Sequence, residues 1–163
     1  MWIGGCGSQP APVPPTPISS PPKLEEAEAQ QPAATLFGQV IDGTYKRQSR
    51  FELTERTIYG WRIKLPCTGP TLFRETLRLP APGEWTFDPL TAEHVTVSDD
   101  QRRVVTEDYS GCFDGWIQHA WKITAGAPPG EYVMSVEIDG YQPQVFHGRF
   151  YTPEDFEKLS RRR

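Results

Sequence analysis

The sequence predicts an all-β protein: an antiparallel sandwich of seven to nine short strands, ending in a short C-terminal helix and preceded by a disordered proline-rich segment. Three observations predict it. Eight of the 17 prolines fall within residues 8–34, a stretch too polar to bury the apolar surface that ordering requires. From Leu36 onward apolar residues recur with a period of two, which sets alternate side chains on one face of a sheet. Turn signals separate these runs at intervals of about ten residues, the spacing of a sandwich rather than of alternating strands and helices.

The first strong strand sets Tyr59, Trp61, Ile63 and Leu65 against Gly60, Arg62 and Lys64. The next sets Phe73, Leu77 and Leu79 against Arg74, Thr76 and Arg78, which puts Glu75 on the inward face. Shorter candidates are Val95/Val97 and the run Arg102–Thr106. Ile117, His119, Trp121 and Ile123 share one face of a further strand, and Tyr132, Met134, Val136 and Ile138 share one face of another, with Pro128-Pro129-Gly130 as the turn between them. Asp139-Gly140 suits a type I′ hairpin, whose two central residues must both accept positive φ, and the returning strand carries Phe146 and Phe150 inward. Thr152-Pro153-Glu154-Asp155 offers an N-cap hydroxyl, proline at the first helical position and acids in the first turn. It predicts a terminal helix that touches the sandwich through Phe156 and Leu159.

The chain therefore divides into residues 1–7, a tether over 8–34 and a folded domain over 35–163, long enough to bury a core. Proline in the tether favours polyproline II at about 3.1 Å per residue, enough to hold the domain several tens of ångströms from whatever its start is fixed to. Net charge is −4, with basic residues scattered along the sequence. No basic stripe of the kind nucleic-acid binders carry is evident, and no apolar run is long enough for a spanning helix. A monomer is expected.

Ile3-Gly4-Gly5-Cys6 resembles a bacterial lipobox, in which small residues precede the cysteine that receives lipid. The resemblance implies that Cys6 is acylated after the preceding peptide is removed. It departs from the family pattern in that only five residues precede the cysteine, so the usual charged and apolar segments would lie upstream of Met1. Gly7, where some lineages place Asp, resembles lipoproteins sent to the outer membrane, which implies a periplasm-facing envelope protein. With Cys6 spent on lipid, Cys67 and Cys112 remain as one pair, the arithmetic of an oxidising compartment. Cys67 ends one predicted strand and Cys112 precedes another, so a bridge would staple two loops at one end of the sandwich.

The segment WKITAGAPPGEYVMSVEIDGYQPQVFHGRFY resembles the last hairpin of secreted bacterial immunoglobulin-like domains, and IYGWRIKLP with FRETLRLPAPGEW is similar to uncharacterised bacterial domains. These resemblances imply architecture and no activity.

Few residues stand in patterns that carry chemistry. His94, His119 and His147 stand on separate predicted strands without the paired spacing of metal ligands, and His119 reads as a hydrogen-bonded core histidine. The loop Asp108–Gly115 has two carboxylates but not the alternating acids of a calcium loop. Glu75, facing inward, needs a salt bridge or hydrogen bonds to backbone amides, because an unpaired buried carboxylate is costly. It is also the only candidate acid for an enzyme, which is the least favoured reading. No nucleophile elbow, phosphate loop or dinucleotide fingerprint appears, so no catalytic residue, cofactor or metal is expected. Trp85, Tyr109, Phe113 and Trp116 are the aromatics able to contact a ligand, or else to plug an open end of the core. The expectation is a non-catalytic, lipid-anchored envelope domain that binds a protein partner. The alternative is a carbohydrate- or peptidoglycan-binding module, which would need Trp85 and Trp116 side by side and largely exposed.

Overall fold

The computed structural model describes residues 28–162; Cys6 and most of the expected tether lie outside them. Among the described residues ten strands form two sheets, one more strand than the upper expectation. β1 (Ala34–Ile41), β2 (Thr44–Arg47), β4 (Ile58–Lys64) and β8 (Trp116–Lys122) make a four-stranded antiparallel sheet in the order β2-β1-β4-β8. β3 (Arg50–Glu52), β5 (Thr71–Arg78), β6 (Val95–Val97), β7 (Arg103–Ser110), β9 (Gly130–Glu137) and β10 (Gln144–Tyr151) make the second, in the order β3-β10-β9-β5-β7-β6. Within it β3 runs parallel to β10 and the other pairs are antiparallel. β2 and β3, with sequences TYKR and RFE, are short and largely polar, so neither carries a readable alternation. The single turn α1 (Pro89–Ala92), capped by the Asp88 carboxylate on the Leu90 and Thr91 amides, was likewise silent in the sequence.

The predicted inward residues do face the core. Trp61, Ile63, Phe73, Leu77, Ile117, Met134, Val136 and Phe150 are all buried. Between the sheets one half of the core is aromatic: the Phe150 ring lies 4.7 Å from Phe51, 4.7 Å from Tyr59 and 4.1 Å from Tyr132. Burial raises the Tyr132 phenol, and pushes that of Tyr59 well above its ordinary range. The terminal helix α2 (Pro153–Ser160) forms as its cap signal predicts, with the Thr152 hydroxyl accepting from the Asp155 amide and the Phe156 ring 6.5 Å from Tyr151. The folded chain also begins earlier than residue 35. The Gln30 amide donates to the Gly140 carbonyl and its own carbonyl accepts from Gln142, so the last residues expected in the tether are strapped to the loop between β9 and β10.

That loop is not the expected type I′ hairpin. Of its Asp-Gly pair only Gly140 is left-handed, with φ 79°, and six residues separate Glu137 from Gln144. The two-residue turn belongs to other Asp-Gly pairs. Asp42 (φ 49°) and Gly43 (φ 73°) join β1 to β2, where Ile41 pairs directly with Thr44. Asp114 (φ 51°) and Gly115 (φ 74°) turn the chain between Phe113 and Trp116, which exchange two backbone hydrogen bonds. Type I′ geometry needs both central residues left-handed and strand pairing on both sides; dipeptide identity supplies the first condition and register the second.

Gly38 and Gly60 are Cα partners at the centre of the four-stranded sheet. The sheet coils so tightly there that a Cβ at Gly60 would stand 2.1 Å from the His119 carbonyl oxygen, and one at Gly38 1.8 Å from that of Lys46. Backbone cannot yield as a side-chain tip can, so we expect Gly60→Ala to cost about 3 kcal/mol, the upper range for overpacking. Chemical denaturation measures it, and a variant as stable as the wild type would show that the sheet is less coiled than described.

Candidate functional site

The half of the core opposite the aromatic cluster is built around Glu75. Its position on β5 is dictated by alternation, since Phe73 and Leu77 on either side are both buried, and the glutamate is fully enclosed at 0% exposure. Such a carboxylate is stable only among donors. Three converge on it from the facing sheet. The Trp61 indole N–H donates to Oε2, the Trp121 indole N–H donates to Oε1, and His119 Nδ1 lies 3.0 Å from Oε2. An indole nitrogen can only donate, so each tryptophan needs an acceptor as much as the carboxylate needs donors. The partners are therefore side chains, not the backbone amides considered from sequence.

Trp61 comes from β4 and the other two from β8, where His119 and Trp121 sit two residues apart and so share the inward face. Strand register sets them beside one another, since Trp61 is the Cα partner of His119. Rings complete the shell: Phe73 packs edge-on to Trp61 at 5.2 Å, and Trp121 stands edge-on to His119 at 5.4 Å. Thr106, the cross-strand neighbour of Glu75 on β7, is buried with its hydroxyl unpartnered among the described residues. His119 reaches the surface, its side chain 23% exposed. The signal for this cluster was present in the sequence: two inward indoles and one inward carboxylate each lack what the other supplies. Both oxygens of Glu75 are engaged by indole donors, and the side chain is fully enclosed. Among the described residues no group of three or more His, Cys, Asp or Glu side chains is placed to hold a metal ion.

The four aromatics singled out from sequence fall into separate places. Trp85 packs with Phe87 and Trp121, with ring centroids 6.3 and 5.9 Å away, and its indole N–H donates to the Gln101 carbonyl at 3.0 Å. Half-buried, it stops the sandwich beside the Glu75 cluster. Trp116 opens β8 at the other end and faces outward, with the Arg62 guanidinium 4.9 Å from its ring centre and the Lys64 ammonium 5.7 Å. The two tryptophans do not lie side by side. Tyr109 and Phe113 are exposed, at 63% and 69%, and Leu72, the Cα partner of Tyr109, is exposed too. Leu72 and Tyr109 point out from the six-stranded sheet, since their neighbours Phe73 and Ser110 are buried, and Phe113 adjoins the Cys67–Cys112 disulfide, whose Cα atoms are 5.9 Å apart. At the same rim Ser110 of β7 donates to the Gln118 carbonyl and accepts from its amide, both at 2.9 Å, which ties the two sheets together and caps part of the free edge of β8.

Two packed sheets of mostly antiparallel strands define an immunoglobulin-like β-sandwich domain. Residues 38–147 match the PM0630 beta sandwich domain. The chain belongs to that family. Its fold is similar to that of PA1606, an immunoglobulin-like protein from Pseudomonas aeruginosa, with a TM-score of 0.50 at 15% identity over 78% of this chain and 99% of the other; that likeness concerns the fold alone. Alkylpurine DNA glycosylase AlkC from Pseudomonas fluorescens, in a structure with DNA containing an abasic site analogue, aligns at a TM-score of 0.32 and 11% identity over 71% of this chain and 30% of the other, too distant to bear on function. No curated protein matches.

Proposed function

We propose that this chain is a non-catalytic envelope domain, fixed to a membrane by lipid on Cys6, facing the periplasm and presenting the disulfide-bearing rim to a protein partner. The disulfide carries the reading. A Cys67–Cys112 bridge suits an oxidising compartment and leaves Cys6 as the one remaining thiol among three cysteines, which fits the lipobox resemblance. Exposed apolar side chains favour a protein partner: Phe113 stands beside the bridged Cys112, and Leu72 and Tyr109 pair across β5 and β7, residues of the kind that anchor interfaces. The glycan alternative has less support, because Trp85 and Trp116 stand apart. The enclosure of Glu75 speaks for a structural rather than an acid–base role.

Intact mass of the native protein from a membrane fraction tests both halves of the reading. The expected result is a chain that begins at an acylated Cys6 and has lost two hydrogens to the bridge. An unmodified Cys6 in a soluble fraction would remove the anchor from the proposal, and three free thiols would remove the compartment.

A further inference from the structure

Four of the basic residues that look scattered along the sequence gather on one surface. Alternation from the buried Phe37, Tyr59, Trp61, Ile63 and Ile117 directs Arg47 on β2, Arg62 and Lys64 on β4, and Lys122 on β8 to the outer side of the four-stranded sheet. The same alternation puts no Asp or Glu on the outward positions of its strands. Among the described residues none of these four cations has a carboxylate within ion-pair distance. The outer side of the six-stranded sheet is different in kind. There Glu52, Glu107, Glu131 and Glu137 alternate with basic side chains, and Arg74–Glu107 and His147–Glu131 pair at 3.4 and 2.9 Å. A protein of net charge −4 thus has one sheet whose outward strand positions carry cations and no carboxylate.

That face is built around Arg62. Its guanidinium stands between the rings of Tyr45 and Trp116, at 5.5 and 4.9 Å from their centres, and its Nε is buried without a hydrogen-bond partner among the described residues. The two rings come from opposite edge strands, which coil toward each other on this side until the Tyr45 hydroxyl reaches the His119 carbonyl at 3.4 Å. Burial pushes that phenol up to about 12, with the Arg62 guanidinium pulling the other way. The arginine is therefore held in place before any ligand arrives. Its donors, with Lys64 beside it, suit phosphate oxygens, and a tryptophan at the rim is the residue type that settles at headgroup level.

We infer that the outer face of the β2-β1-β4-β8 sheet docks on the anionic phospholipid headgroups of a membrane leaflet, so that the domain lies on the bilayer. The inference deepens the anchored reading and rests on it for its choice of surface. The chain arriving from Cys6 is held at Gln30 by the β9–β10 loop and then enters this sheet, where Ala34, the first residue of β1, is the Cα partner of Lys64. Residues 7–29 are long enough for the domain to reach the leaflet from which it is tethered. Each Lys or Arg near an anionic leaflet improves partition about fivefold, so the four cations supply a weak, salt-sensitive contact that orients the domain while the lipid retains it.

The test uses the full chain with Cys6→Ser, so that no acyl chain contributes. It is sedimented with vesicles of phosphatidylcholine alone or mixed equally with phosphatidylglycerol. Binding is expected only to the mixed vesicles, and raising salt should remove it as screening shortens. The exposed pair Lys64→Gln with Lys122→Gln should weaken partition about 25-fold, whereas Arg78→Gln with Arg103→Gln on the other sheet should leave it unchanged. Absence of binding to the mixed vesicles, an equal loss in the control pair, or binding to single-stranded DNA in preference to vesicles would each overturn the inference. Because acylation plays no part in this experiment, an unmodified Cys6 in the native protein would defeat the anchored reading without touching this result.

Discussion

Replacing Glu75 by glutamine is expected to destabilise the domain by about 3 kcal/mol, near the lower end of what removing one partner of a buried charged cluster costs. The carboxylate accepts from Trp61 on one oxygen and from Trp121 on the other, with His119 as a third neighbour. A carboxamide keeps one accepting oxygen and turns an NH2 toward the other site. Whichever way it lies, an indole N–H then faces another donor, and a buried donor left unmade costs about 1–3 kcal/mol by itself. The change conserves volume, so the loss reports hydrogen bonding rather than a cavity. Guanidinium denaturation with the disulfide intact should show a lower midpoint at an unchanged slope. An unchanged midpoint would mean that the three donors do not depend on the charge. Loss of a catalytic turnover without loss of stability would return Glu75 to the role of an acid.

The second large effect concerns the staple. Cys67 and Cys112 are separated by 45 positions, and closing a loop of that length restrains the unfolded chain by about 4 kcal/mol in the chain-entropy treatment. The double variant Cys67→Ala with Cys112→Ala should lose stability on that scale, a large share of the roughly 5–15 kcal/mol typical of a domain. Reduction of the wild type should bring its midpoint to that of the double variant. The loss should also be local. The bridge joins the segment after β4 to the turn before β8, so hydrogen exchange should quicken first around Phe113–Trp116 and least in the aromatic core near Phe150. A reduced protein as stable as the oxidised one would show that Ser110 and its two bonds to Gln118 already close that rim alone.

Much of this architecture is local physics and could be read directly. A period of two follows from the pleat of a single strand, so Trp61, Phe73, Ile117, Met134 and Phe150 were placed inside, and Glu75 and His119 with them, before any neighbour was known. The cap at Thr152 needs only its own first turn. By contrast, β2 and β3 are held by their partners rather than by their composition, and nothing within RFE indicates that Arg50, Phe51 and Glu52 will run parallel to β10.

The sequence by itself determined which way each strand faces, where the helix begins and that an inward carboxylate required partners. Only the tertiary structure decided who those partners are, which Asp-Gly pairs form tight turns and that four dispersed cations meet on one face. The reason is the range over which each is set. Facing depends on adjacent residues, whereas the bonds from Trp61 and Trp121 to Glu75 close separations of 14 and 46 positions. A shift of one residue in the register of β8 would turn both His119 and Trp121 away from the carboxylate.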